Sequence, residues 1–167
     1  MGTPPIVALG LLLGALPVCL WAAYVDLSRM KIPNRAVAAL AAAFFVIGLV
    51  LLPLDSWSLG DWSWRWLHLL VVLLIGMALN AIYMIGAGDA KFAAAAALFV
   101  ATSDLGRLLW IYAFSLLGCW ILHELAKRTV GPRLAPDWVS WSTGKRFPMG
   151  VALGLTLVIY LVMAATA

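Results

Sequence analysis

A bundle of membrane-spanning α-helices is the fold class this sequence predicts, and three observations carry the prediction. Of its 167 residues 65% are hydrophobic. The mean hydropathy is +1.05. The charged residues fall in a few short stretches that separate long apolar runs. So little polar surface cannot cover a water-soluble globule. The expectation is an all-α membrane protein forming a single domain over residues 1–167, with six transmembrane helices, both termini outside and a short, central fourth helix.

The first run, residues 5–25, is long enough to cross a hydrocarbon core of about 30 Å. No Lys or Arg precedes it, so the basic region of a secretory signal is missing and the run is a permanent span. The second span covers residues 35–52 and stops at Pro53; the third covers 66–85. Between them, residues 54–65 carry Asp55 and Asp61. Trp57, Trp62, Trp64 and the adjoining Trp66 read as an aromatic belt at the membrane interface. The fourth span, 89–102, is short for a crossing and holds an unbroken alanine run from Ala93 to Ala97. Small side chains let backbones approach, so this helix is expected among the others rather than facing lipid. The fifth span covers 105–125 and the sixth 149–165. Gly10-x-x-x-Gly14 and Gly150-x-x-x-Gly154 match a helix-contact pattern that is common by chance in apolar sequence, and little rests on them.

Eleven basic and seven acidic residues give a formal charge of +4, and the excess is topological rather than a nucleic-acid patch. If six spans alternate, Arg29, Lys31, Arg35, Lys91, Lys127, Arg128, Arg133, Lys145 and Arg146 share one side, against Arg65 and Arg107 on the other. The positive-inside bias then puts Asp26 and Asp89 at the cytoplasmic face. Cys19 and Cys119 lie in apolar runs without Cys-x-x-Cys spacing and read as packing residues.

An ionised side chain at a bilayer edge is costly and is more often kept for chemistry than for packing. Asp26 closes the first apolar run, and Asp89 follows the third in Met84-Ile85-Gly86-Ala87-Gly88-Asp89-Ala90-Lys91. Two carboxylates held close together share a proton, so one can activate a water while the other polarises a carbonyl. Gly86 and Gly88 permit unusual backbone angles and close approach of a substrate strand. The same residues also describe a tight turn with Asp89 capping a helix. Physics alone divides these readings evenly, and the second membrane-edge aspartate favours chemistry.

These residues resemble the type IV prepilin peptidases, membrane aspartic proteases with a Gly-x-Gly-Asp motif. Gly86-Ala87-Gly88-Asp89-Ala90-Lys91 is similar to the family's second catalytic motif, and Asp26 followed by Lys31-Ile32-Pro33-Asn34 to its first. Pro148-Met149-Gly150 looks like its Pro-x-Gly element. The resemblance implies catalytic roles for Asp26 and Asp89, with Gly86, Gly88, Lys91, Pro33, Asn34, Pro148 and Gly150 supporting the motifs or the substrate. It also implies an enzyme of the bacterial cytoplasmic membrane whose active site faces the cytoplasm. Its substrate would be a prepilin or pseudopilin with a short basic leader ending in glycine, followed by an apolar helix. Larger members carry an N-terminal cytoplasmic region with paired cysteines and methyltransferase activity. Here the first span begins almost at Met1, so the expected likeness is to the short members that serve tight-adherence (Flp) pili, without methyltransferase activity.

No metal or other cofactor is expected. His123-Glu124-Leu125-Ala126-Lys127 begins like a zinc-protease motif but has Lys127 where the second histidine must stand. His68 reads as an interface residue and Asn80 as a helix-packing hydrogen bond. Lys91, two residues from Asp89, points to a different side of a helix and is not its direct partner. Arg29 could pair with Asp26 if the first helix continues that far. The basic loop 126–147, with Trp138 and Trp141, is placed on the anionic lipid leaflet, where its charge opposes a basic leader. A proton- or cation-coupled transporter would need polar residues continuing through the spans, and beyond Asn80 there are few. A non-catalytic subunit of a pilus or secretion assembly is the other alternative, and both aspartates standing at their motif positions argue against it.

Overall fold

The computed structural model describes residues 1–53, 57–144 and 146–167, and its described elements are all helical. Asp55 of the interhelical stretch and Lys145 of the basic loop lie outside the described residues. The long helices are α1 (Pro5–Arg29), α2 (Asn34–Val50), α3 (Leu59–Ala81), α4 (Ala87–Ala97), α5 (Leu105–Arg128) and, after the four-residue α6 (Gly131–Leu134), α7 (Met149–Ala165). By length and composition α1, α3 and the stretch Thr102–Arg128 can cross a membrane, while α2 and α7 are shorter apolar helices. On α3 and α5, Leu74, Trp110 and Phe114 are among many exposed apolar side chains, as expected of a membrane protein.

The apolar runs give helices with the predicted order, and α7 has the predicted ends. The main shift is at α3, which starts at Leu59 rather than at residue 66. Ser58 caps it: its Oγ accepts the Asp61 N–H at 3.0 Å, and Asp61 Oδ2 accepts the Ser58 N–H at 3.2 Å. This reciprocal box starts a helix in a stretch too polar to register as a span. The aromatic belt is corrected in the same place. Only Trp64 of the four tryptophans is exposed. Trp62 and Trp66 pack on Phe44 and Phe45 of α2, and Trp57 is buried under the Arg65 guanidinium, 5.2 Å from its ring.

The helix α4 sits between α2, α3 and α7, and α7 lies along α1 and against α5. Phe92, Leu98 and Phe99 from α4 and its C-terminal turn join Leu11, Phe44 and Tyr160 in the fully buried core. The short helix is central, as its alanines imply: a Cβ on Gly76 of α3 would come within 2.8 Å of Ala90 Cβ. The Gly-x-x-x-Gly pairs carry more than their frequency promises. Gly10 and Gly14 face Ile47 of α2 and Leu51 just after its end, and Gly150 and Gly154 face Asp26 and Cys19 of α1. Asn80 differs from expectation, donating to the Ile85 carbonyl at 2.8 Å and so closing its own turn rather than joining two helices.

At one end of the bundle a buried polar node ties four segments together. Asp104 Oδ2 accepts the Gly2 N–H at 2.8 Å and the Tyr160 hydroxyl at 2.9 Å. The Tyr160 oxygen accepts the Ala101 N–H at 3.0 Å, and Arg65 donates to Thr3 Oγ1 at 3.0 Å. Buried polar groups are tolerated when paired in this way. Arg65, counted among loop charges from sequence, is instead a buried structural cation, 4% exposed. His68 lies nearby, sharing hydrogens with Val100 O at 3.1 Å and Thr102 Oγ1 at 2.9 Å.

Candidate functional site

The first helix runs four residues past the predicted span, so Asp26 belongs to its last turns rather than to a loop. The helix ends where Met30 adopts a left-handed conformation, φ 54° and ψ 39°, its N–H reaching back to the Asp26 carbonyl. That backbone costs a non-glycine residue about 1 kcal/mol and turns the chain sharply. Lys31-Ile32-Pro33 follows, and α2 starts at Asn34 with Pro33 in extended backbone as its N-cap. Ile32 is thereby folded back into the bundle, where it is buried.

Asp26 is 4% exposed. Its Oδ2 accepts the backbone N–H of Gly150, in the first turn of α7, at 2.7 Å. The N–H groups of a helix's first turn have no partners within the helix, and this one is spent on a carboxylate. Glycine is required there by space: a Cβ at position 150 would lie 2.9 Å from both Asp26 Oδ2 and Ile32 Cδ1. Arg29 makes no ion pair with Asp26 among the described residues.

Asp89 sits on the third residue of α4, whose N-cap is Gly86. It is therefore not the capping residue. Its half-buried carboxylate folds back over the Gly86 amide, and a Cβ at position 86 would fall 2.6 Å from Asp89 Oδ2. Neither glycine needs an unusual backbone angle: Gly86 has φ −70° and ψ 144°, and Gly88 is helical. What Gly88 supplies is contact, its missing Cβ facing Ile32 at 3.5 Å from that residue's Cβ and carbonyl oxygen.

Ile32 thus touches Gly150, which holds Asp26, and Gly88, which adjoins Asp89. Through Ile32, the Lys31-Ile32-Pro33 turn packs against both aspartate-bearing segments. Lys91 turns away, as its helical offset requires, and donates to Asn34 Oδ1 at 3.3 Å, pinning the start of α2 to α4. Pro148 is the N-cap of α7 and ends the approach to Gly150. All nine candidate residues therefore belong to one connected region: Asp26, Pro33, Asn34, Gly86, Gly88, Asp89, Lys91, Pro148 and Gly150.

The family model for type IV leader peptidases matches residues 7–123. The chain belongs to the type IV leader peptidase family. Neither a curated protein nor a solved structure matches the chain. Membership of this peptidase family implies a protease acting on prepilin-like substrates. The match includes α1 to α4 with both aspartates and ends at His123 in α5, so α7 and its Gly150 stand outside it.

Sequence reasoning about this leader peptidase missed the loop after α5. Trp138 and Trp141 stack on each other, and Trp141 stacks on His123. Tyr24 of α1 meets Trp138 edge-on. Two of the loop's cations are spent within the protein, Lys127 on the Gly144 carbonyl at 2.8 Å and Arg128 on Glu124 at 2.7 Å. An aromatic spacing of three residues, Trp138 to Trp141, was the available signal.

Proposed function

We propose that this leader peptidase is a membrane aspartic endopeptidase in which Asp26 and Asp89 form the catalytic pair and water is the nucleophile. One carboxylate takes a proton from the water as its oxygen attacks the scissile carbonyl. The other, protonated, polarises that carbonyl. Collapse of the tetrahedral intermediate breaks the C–N bond as a proton passes to the leaving amine. The observation that carries the reading is the convergence of two aspartates from separate helices on either side of the Ile32 turn.

The substrate fitting this pair is a prepilin or pseudopilin, cut between its short basic leader and its apolar helix. Six spans with both termini outside put the catalytic pair at the cytoplasmic face of the membrane. Counting Arg65 as a buried structural residue leaves Arg107 as the basic residue opposing the cytoplasmic cluster, which strengthens that orientation. Co-expression with a candidate prepilin tests the proposal: wild type converts it to the shorter form, and Asp26→Asn and Asp89→Asn each leave it uncut while inserting normally. Conversion by either variant at the wild-type rate removes that residue from the mechanism.

A further inference from the structure

The hydrogen bond between Gly150 and Asp26 joins helices 124 residues apart, and a 2.7 Å contact holds only if both partners are fixed. One partner, α7, has no side-chain cap at its start. Beyond the packing of α7 on α1 and α5, its start is held by contacts with the loop before it. His123 of α5 is stacked on Trp141 with ring centroids 5.2 Å apart and planes at 20°, and meets Phe147 edge-on at 5.7 Å and 82°. Trp141 continues into Trp138 at 5.7 Å and 15°, and Trp138 meets Tyr24 at 5.9 Å and 85°. The stack therefore ends on the two segments that make the bond: Tyr24 stands two residues before Asp26, and Phe147 three before Gly150.

Other contacts fix the stack itself. Trp141 Nε1 donates to the Ala135 carbonyl at 2.8 Å. Gly131 leaves room for that ring, since a Cβ there would lie 2.9 Å from Trp141 Cη2 and Cζ2. His123 is buried, and its Nε2 has no hydrogen-bond partner among the described residues. Its place in the structure is therefore as a flat ring between Trp141 and Phe147.

We propose that His123, Trp141 and Phe147 are positioning residues for Asp26: their stack holds the start of α7 where the Gly150 amide meets the carboxylate. This inference rests on the reading of Asp26 as catalytic. A misplacement of about 1 Å at a reacting group costs up to about a hundredfold in rate, while substrate affinity depends on other contacts.

The test uses the purified full-length enzyme in lipid vesicles with a synthetic precursor, a short basic leader ending in glycine followed by an apolar helix. His123→Leu fills the space without the flat ring, His123→Phe keeps the ring, and Trp141→Leu removes its partner. The expected result is a kcat lowered about tenfold to a hundredfold in His123→Leu and Trp141→Leu, with KM within about twofold of wild type, and most of the rate kept in His123→Phe. Thermal melting of each variant corrects the rates for folded fraction. If Trp141→Leu does not fold, the two His123 variants decide. Wild-type kcat in folded His123→Leu overturns the proposal, as does equal loss in His123→Phe. A raised KM at unchanged kcat also overturns it, making the stack a substrate platform. Asp26→Asn is measured alongside: activity retained there defeats the catalytic reading itself, whereas an inactive Asp26→Asn beside a fully active His123→Leu defeats the positioning role alone.

Discussion

Gly150 donates its backbone N–H to Asp26 Oδ2 across 2.7 Å, and a Cβ at that position would stand 2.9 Å from the same oxygen. The residue that supplies the hydrogen bond must therefore have no side chain. Gly150→Ala is expected to lower turnover by at least about tenfold through displacement of Asp26 and Ile32. The helical gain of alanine over glycine, about 1 kcal/mol, offsets part of the crowding, so the protein should still insert. Cleavage rate per folded molecule measures this; a wild-type rate would mean that Asp26 tolerates relocation.

The two glycines before Asp89 should behave differently. At position 86 a Cβ falls 2.6 Å from Asp89 Oδ2, the end of a rotatable side chain, so Gly86→Ala displaces the carboxylate at little cost in stability. Turnover should fall while the melting temperature holds. At position 88 a Cβ meets Ile32 at 3.5 Å, an ordinary contact in a helical residue, so Gly88→Ala should stay active. The bulkier Gly88→Leu should wedge Ile32 away and abolish cleavage. Equal effects of alanine at 86 and 88 would contradict this geometry.

How far the sequence disclosed this arrangement depends on the range of the interaction. Apolar runs and their breaks mark α7 to the residue, because a membrane helix declares itself locally. The start of α3 was missed because Trp62, Ser63, Trp64 and Arg65 lower the hydropathy there, although Ser58 and Asp61 stood at capping-box spacing. The aspartates and the Gly-x-Gly-Asp turn were legible as chemistry in a costly place. The Ile32 wedge, the Gly150 bond and the His123 stack join residues far apart in sequence, and periodicity carries no sign of them. The backbone freedom read into Gly86 and Gly88 was the wrong reason for those glycines; close packing is the right one.

At the other end of the bundle, Tyr160→Phe removes a donor to buried Asp104 and an acceptor for the Ala101 N–H. Leaving these groups unpaired should destabilise the protein by about 1–3 kcal/mol. Cleavage by the molecules that remain folded should be unchanged, since Tyr160 is far along α7 from Gly150. Thermal inactivation measured beside initial rate separates the two; a lowered initial rate with unchanged stability would tie this node to catalysis.

Orientation is open to direct labelling. Ser142 and Ser58 are both exposed, and a cysteine at Ser142 should react with an impermeant thiol reagent only from the cytoplasmic side, one at Ser58 only from the other. The Ser58 variant loses a helix cap worth about 1 kcal/mol, which the fold should tolerate. Reversed labelling would move the catalytic pair to the opposite face.

The central claim is that Asp26 and Asp89 act as one catalytic unit, and its most direct measurement is single-turnover cleavage of a leader-bearing precursor by Asp26→Asn, Asp89→Asn and the double variant. Residues that act as a unit are not additive. Each single variant should lose at least about a thousandfold, and the double variant should be no worse than either one. Near wild-type cleavage by either single variant, or losses that multiply in the double variant, would contradict the shared-site account.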